Sequence, residues 1–379
     1  MIGTGQEQGD DLLTAPGLAA AVWIVDYGAG RLNGGHQEDY LAALEKALAG
    51  CRTRVAAPFR AGATAGGRAA AYLSELRLFW RLLHDGPRFF VCHTPEFRDF
   101  LMLALAALAT RRPRATGLFV LRRDGPGIVG RPGAKARLLE RLIPALIRRR
   151  YLYPVSDSRP VLEYWLARAG AVSGSLVSIP IPAARRIISK SAWPVVGLVG
   201  RFRIEKGARH YDAIIRLSLD LFPNGRVSVQ LTPGLAGEEG ELIARLLSSW
   251  SGHPRVELSL GHLPADQYAD AVAATDIVVA PYEVSSYGDG TSGVLHDALS
   301  LGATVLATSI PWARDAFPND PRIVWLRGTE PADLREGLLA AGERSKANRD
   351  QPREADSFAA DWQAALSAAY ESLAGRRKG

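Results

Sequence analysis

Two short segments of this 379-residue chain combine residue types that suit a phosphorylated ligand. The first is Gly200-Arg201-Phe202-Arg203-Ile204-Glu205-Lys206-Gly207, which follows an apolar run and precedes a helical pattern. A strand-to-helix loop with two cations between flanking glycines fits a diphosphate. Arg201 offers two parallel donors, Lys206 a point charge, and the glycines let the backbone turn and approach. An ordinary basic loop has the same composition, so this segment alone leaves the choice open. The second segment is Gly288-Asp289-Gly290-Thr291-Ser292-Gly293-Val294-Leu295-His296-Asp297-Ala298. A Gly-rich loop here opens a helix, whose first amides and dipole favour an anion. Asp289 falls in the loop and Asp297 about one turn inside the helix. Both carboxylates are expected to point into one cleft, where they suit sugar or ribose hydroxyls. Alone, Asp297 reads as a surface aspartate behind a capping loop.

The elements that must position these segments alternate. Ala20 to Tyr27 is a short apolar run ending in glycines, which fits a buried parallel strand. A Gly-rich loop over 28–35 and a helix over 37–49 follow. Phe89 to Cys92 reads as a second strand, with a turn at His93-Thr94-Pro95, and a helix over 97–110 holds the longest apolar run, expected to be buried. Strands at 118–121, 152–156 and 176–180 and a basic helix over 134–150 complete the first half. After an aperiodic stretch at 183–193, a second set begins at Pro194. Its strands are expected at 195–199, 227–231, 256–258, 277–280, 304–307 and 323–326. Helices are expected at 207–221, 238–250, 264–274, 292–301 and 331–343, with a last one over 356–374. Strand and helix alternating twice over imply an α/β chain of two doubly wound, Rossmann-like parallel sheets. Their ligands would sit beyond the carboxyl ends of the strands, in the cleft between the sheets. The domains are expected at 1–190 and 191–355, with the final helix, 356–379, packing back on the first.

In these segments the chain resembles retaining glycosyltransferases of the two-Rossmann-domain (GT-B) architecture, in particular the large family 4. That family carries G-R-x4-K-G, then P-S/Y, E-x7-E-A and G-x-P-V-hydrophobic-A-T. Here they read Gly200-Arg201 to Lys206-Gly207, Pro281-Tyr282, Asp289 to Asp297-Ala298, and Gly302-Ala303-Thr304-Val305-Leu306-Ala307-Thr308. Gly261 and Ala274-Thr275-Asp276-Ile277 also match. The likeness is good over about 194–310 and weak in the N-terminal half. It implies a nucleotide-diphosphate sugar as donor, transfer with retention, and no metal. It gives the donor sugar to Asp289, the ribose to Asp297, and the diphosphate to Arg201 and Lys206. Gly290, Thr291, Ser292, Gly293 and Val294 would add donors. Gly34 and Gly35, in Asn33-Gly34-Gly35-His36, would cover the diphosphate, and His93 would stand near the donor sugar. His36 is expected to be structural or acceptor-facing, and His296 to pack. Both acidic positions hold Asp where the family mostly has Glu, which shortens each reach by about one carbon–carbon bond, roughly 1.5 Å.

Composition bounds the rest. Hydrophobic residues at 47% and charged residues at 22% describe a globular chain. Two cysteines, Cys51 and Cys92, are too few for a disulfide framework and suggest a reducing compartment. The first twenty residues have no basic start and no apolar core, so no signal peptide is expected. Residues 1–190 hold 27 Lys+Arg against 15 Asp+Glu, residues 191–379 hold 19 against 24, so the halves suit different partners. Twelve of those cations lie in 111–150, between Leu138, Leu139, Leu142, Ile143, Leu146 and Ile147 at helical spacing. That stretch suits docking on an anionic membrane surface, which implies a cytoplasmic protein, peripheral on the inner face. The acceptor would then be a glycan, a lipid-linked molecule or a small molecule. With no D-x-D pair and no His or Cys cluster, no metal ligand set is expected. Nucleic acid is not an expected partner, since aromatics do not interleave with the cations. A catalytically idle subunit of this fold, or a nucleotide-sugar epimerase, are the alternatives.

Overall fold

In the computed structural model, apolar runs pair as two wholly parallel sheets. It describes residues 22–26, 36–48, 52–56, 65–85, 88–93, 95–110, 115–121, 133–171, 173–181, 192–232, 236–287, 290–348 and 357–374. The first sheet is built from β1 (Val22–Asp26), α1 (His36–Ala47), β2 (Arg52–Ala56), α2 (Ala65–His84), β3 (Phe89–Cys92) and α3 (Phe97–Leu108). It continues through β4 (Thr116–Val120), α4 (Ala134–Arg148), β5 (Leu152–Ser156), α5 (Arg159–Ala169) and β6 (Ser175–Leu176). Its strand order is β2-β1-β3-β4-β5-β6. The pleat sends successive side chains to opposite faces. Phe90, Cys92 and Phe119 therefore meet α2 to α5, while Phe89, Val91, Leu118 and Val120 meet α1 on the other side. Burial on both faces is why these strands read as continuous apolar runs.

The second unit comprises β7 (Val195–Leu198), two 3-10 turns (Ile204–Lys206 and Ala208–His210), α6 (Tyr211–Leu221), β8 (Arg226–Leu231), α7 (Gly237–Trp250) and β9 (Val256–Leu260). Then come α8 (Ala265–Ala273), β10 (Ile277–Ala280), α9 (Val284–Tyr287), α10 (Gly293–Ser300), β11 (Thr304–Thr308), α11 (Pro311–Ala316), β12 (Ile323–Leu326) and α12 (Pro331–Ala347). The order is β12-β11-β10-β7-β8-β9. Val278, Ala280, Val305 and Ala307 pack with α8, α10 and α11, and Leu198, Val229, Val279 and Leu306 with α6, α7 and α12. The last helix, α13 (Phe358–Ala374), belongs to the other unit: Phe358, Trp362 and Leu366 are buried in the core that α1 covers. Ser178 N donates to Asp361 Oδ2 at 2.9 Å where α13 starts.

Three sequence expectations change. Phe89–Cys92 is the third strand, because β2 precedes it at the sheet edge and α2 joins them. The apolar run in α3 is not buried all round; Leu105 is 41% and Leu108 74% exposed. In the 111–150 stretch, Leu139, Ile143, Leu146 and Ile147 are buried against the first sheet, and of the six apolar residues that periodicity grouped there Leu138 is the exposed one. Its Lys135 and Arg141 are exposed, and residues 111–114 and 122–132 lie outside the described residues. Among the described residues no helix is long and apolar enough to cross a membrane.

Candidate functional site

In the second sheet, β8 and β9 lie on one side of β7, and β10, β11 and β12 on the other. Strand order reverses between β7 and β10, which opens a crevice at their carboxyl ends. Both segments singled out by sequence leave from those two strands. Gly200 follows β7 at φ +95°, and a Cβ there would stand 2.6 Å from Val294 Cγ2, in the first turn of α10. Lys206 Nζ lies 3.8 Å from the same point. Gly207, at φ +82°, brings the loop so close to the end of β10 that any Cβ would collide with the Pro281 carbonyl. Two glycines thus let the basic loop, the end of β10 and the N-terminus of α10 converge.

The loop is tied down from below. Gly200 N donates to Gln230 Oε1 at 2.8 Å, Ile204 N to Glu239 Oε1 at 3.1 Å, and Phe202 is buried. Arg201, between two anchored residues, is exposed, and Lys206 is half-buried. Arg209 donates to Glu238 of α7 and to Glu283 after β10, which clamps the turn to both neighbours.

The second loop is held by aromatic hydroxyls. Tyr282 and Tyr287 stack with centroids 4.4 Å apart. Tyr287 Oη donates to Thr291 O at 2.9 Å, and Tyr282 Oη lies 2.7 Å from Ser292 Oγ. Ser292 caps α10 by accepting from Leu295 N at 3.2 Å. The amides of Gly293 and Val294 open the helix ahead of that cap and have no intrahelical acceptor. Gly290 and Val294 are buried.

The acids and histidines lie differently. Asp289, Gly34 and Gly35 fall outside the described residues. Asp297 is fully enclosed rather than pointing into an open cleft, with His296 Nδ1 3.4 Å from its Oδ1. Tyr268 of α8 adjoins it; burial first, and then the Asp297 carboxylate, hold the Tyr268 hydroxyl well above its ordinary pKa. His93 follows β3 and is also fully buried, its ring stacked on Tyr40 of α1 at 5.9 Å.

Sequence reasoning overlooked Asp157. It follows β5 directly, beyond the carboxyl end of a parallel strand, which was the available signal. Thr291 Oγ1 donates to Asp157 Oδ1 at 2.8 Å, and Trp312 Nε1 donates to Asp157 O at 2.8 Å. Two residues on, Arg159 pairs with Asp315 of α11 at 3.2 Å. The carboxyl ends of the two sheets therefore face each other, and Asp157 joins them at the loop before α10. Beside it is a cavity of ≈ 570 Å³ whose lining includes Asp157, Ser178, His296, Trp312, Asp315 and Asp361. Arg201 and Lys206 do not line it.

No protein-family model matches the chain, and no curated protein sequence matches it either. Solved structures do. A Listeria monocytogenes protein assigned as a UDP-N-acetylglucosamine 2-epimerase aligns with TM-score 0.61 at 12% identity, over 93% of this chain and 97% of its own. Sucrose-phosphate synthase from Thermosynechococcus elongatus gives 0.55 at 15%, over 94% and 98%. The Anabaena protein HepE, solved with UDP and glucose, gives 0.58 at 13%, over 93% and 98%. At these identities the likeness concerns the fold, and with the strand orders above it places the chain in the GT-B architecture, two Rossmann-like units facing across a cleft.

Proposed function

We propose that the chain is a glycosyltransferase that moves a sugar from a nucleotide-diphosphate sugar to an acceptor hydroxyl, with retention of configuration. One observation carries this reading: Gly200, Lys206 and the first turn of α10 converge where the strand order reverses. That place combines a cation with helix-end amides, the requirements of a departing diphosphate. The UDP and glucose in HepE, and a neighbour named as a glycosyltransferase of avilamycin A biosynthesis (TM-score 0.54, 15% identity), support it.

In the proposed reaction the bond between the anomeric carbon and the phosphate oxygen breaks, and the acceptor oxygen bonds to that carbon. The acceptor's proton passes to the leaving phosphate, so no separate base is needed. Arg201 and Lys206 neutralise the charge that grows on the diphosphate. Gly290, Thr291, Ser292, Gly293 and Val294 supply hydroxyl and amide donors, and Gly34 and Gly35 close over it. Asp289 takes the donor sugar's hydroxyls. Asp297, being enclosed, sets Tyr268 and His296 at the ribose end, and His93 acts as a positioning residue through Tyr40. The cavity beside Asp157 is the proposed acceptor side, since carboxylates and Ser178 suit a polyhydroxylated molecule. The reaction is proposed to need no divalent metal.

Thermal shift with UDP, GDP and ADP tests the nucleotide, because a ligand at 100 times its Kd adds about 2.7 kcal/mol. Product analysis with UDP-, GDP- and ADP-sugars, with and without EDTA, tests the chemistry. Stabilisation by none of the three nucleotides would sink the proposal. The Listeria neighbour favours a second reading, a nucleotide-sugar 2-epimerase. A C2-inverted sugar formed without acceptor would establish that instead.

A further inference from the structure

Ten large hydrophobic side chains are exposed among the described residues, and six of them lie on three adjacent helices of the first unit. Tyr72, Leu73 and Trp80 are on α2, Leu105 and Leu108 on α3, and Leu138 on α4. Their spacing is regular. Tyr72, Leu76 and Trp80 recur every four residues, and Leu101, Leu105 and Leu108 follow at four and three, so each set lies on one side of its helix. The two helices run side by side, with Arg98 of α3 paired to Glu75 of α2 at 2.6 Å and Thr110 near His84 at 3.4 Å. A surface helix ordinarily turns charge to water, yet α3 exposes Leu105 and Leu108, with Leu101 and Ala104 half-buried against the core beside them, and carries no exposed charge beyond Arg98 at its start.

Cations surround this apolar ridge. Arg77 and Arg81 on α2 and Lys135 and Arg141 on α4 are exposed, and Lys135 Nζ reaches over the Phe97 ring at 5.8 Å. The acids on these helices are turned aside. Glu75 and Asp99 are buried, and Glu140 accepts from Tyr164 of α5 at 2.9 Å. Exposed acids are confined to Asp85 and Glu96, at the ends of α2 and α3.

We infer that the outer ridge of α2 and α3, flanked by α4, is a docking surface for an anionic lipid bilayer. Leucines and one tryptophan ringed by arginine suit shallow insertion among headgroups, with cations left at phosphate level. A second copy fits poorly, since face against face would set arginine on arginine. The ridge differs from the α4 stripe that sequence periodicity suggested, because Leu139, Ile143, Leu146 and Ile147 of that stripe are buried.

The test uses the full chain and phosphatidylcholine vesicles with or without phosphatidylglycerol, read by co-sedimentation. Binding is expected with the anionic vesicles only, and should fall steeply between about 0.1 M and about 1 M salt, where the Debye length shrinks from about 10 Å to about 3 Å. Leu105→Glu/Leu108→Glu and, separately, Arg77→Glu/Arg81→Glu should each weaken binding at least about tenfold, with unchanged circular dichroism. A polarity-sensitive dye at Leu108→Cys, in a Cys51→Ser chain, should shift blue on anionic vesicles, while one at Leu339→Cys on α12 should not. Unchanged binding in both charge-reversed pairs, equal binding to neutral vesicles, or no binding at low salt would overturn the inference. So would a concentration-dependent dimer that Leu108→Glu abolishes in a chain that ignores vesicles. None of these readouts needs sugar transfer, so the lipid inference and the proposed reaction stand or fall separately.

Discussion

Lys206 sits half-buried, with its ammonium beside Gly200 and the first turn of α10. Replacing it with Ala removes a charge at the place where negative charge would grow, so Lys206→Ala should slow transfer about 100-fold or more while the fold persists. Initial rates at subsaturating donor check this; an unaltered rate would remove Lys206 from the diphosphate. The two acids should separate. Asp297→Asn disturbs a group enclosed with Tyr268 and His296, and should weaken nucleotide binding and lower the melting temperature together. Asp289→Asn should lower kcat with little change in nucleotide Kd. Titration calorimetry with the nucleotide, run on both variants, decides it, and equal losses of affinity would refute the division. At this scale the sequence exposed the cations and glycines, since loop composition reports them directly. It did not expose enclosure. Nothing in the residues around His93 or Asp297 says that Tyr40 or Tyr268 will lie against them, because both contacts join segments far apart in the chain.

Gly207 lets the element after β7 touch the element after β10. Gly207→Ala puts a methyl group into the Pro281 carbonyl and a side chain at positive φ, where an L-residue costs about 1–2 kcal/mol before any clash. Stability should fall by at least about 2 kcal/mol, and nucleotide binding should fall with it; thermal unfolding with and without ligand measures both. A variant as stable as the parent would mean that the two loops are not packed as described. The elements with clear periods were legible, and the unread ones have physical reasons. β2 is Arg-Thr-Arg-Val-Ala at a sheet edge, paired on one side only, so it lacks the apolar run of its neighbours. α2 carries buried Phe79, Leu82 and Leu83 together with exposed Tyr72, Leu73 and Trp80. Apolar residues on both sides erase the one-sided stripe that marks an amphipathic helix. The same surplus makes the apolar run of α3 resemble a buried helix, although Leu105 and Leu108 are exposed.

The two units communicate at the loop before α10, where Asp157 reaches across from β5 to Thr291. If that hydrogen bond couples the units, Asp157→Ala and Thr291→Val should each cost about 0.5–1.5 kcal/mol, and the double variant no more than either alone. Fully additive losses in thermal unfolding would show that each residue acts on its own unit. The chain also passes between the units twice, once after residue 181 and again before residue 357, because α13 returns to cover the first sheet. The second unit is in effect an insert within the first. The first core is therefore complete only once Trp362 and Phe358, made after the whole second unit, are seated against β1 and α1.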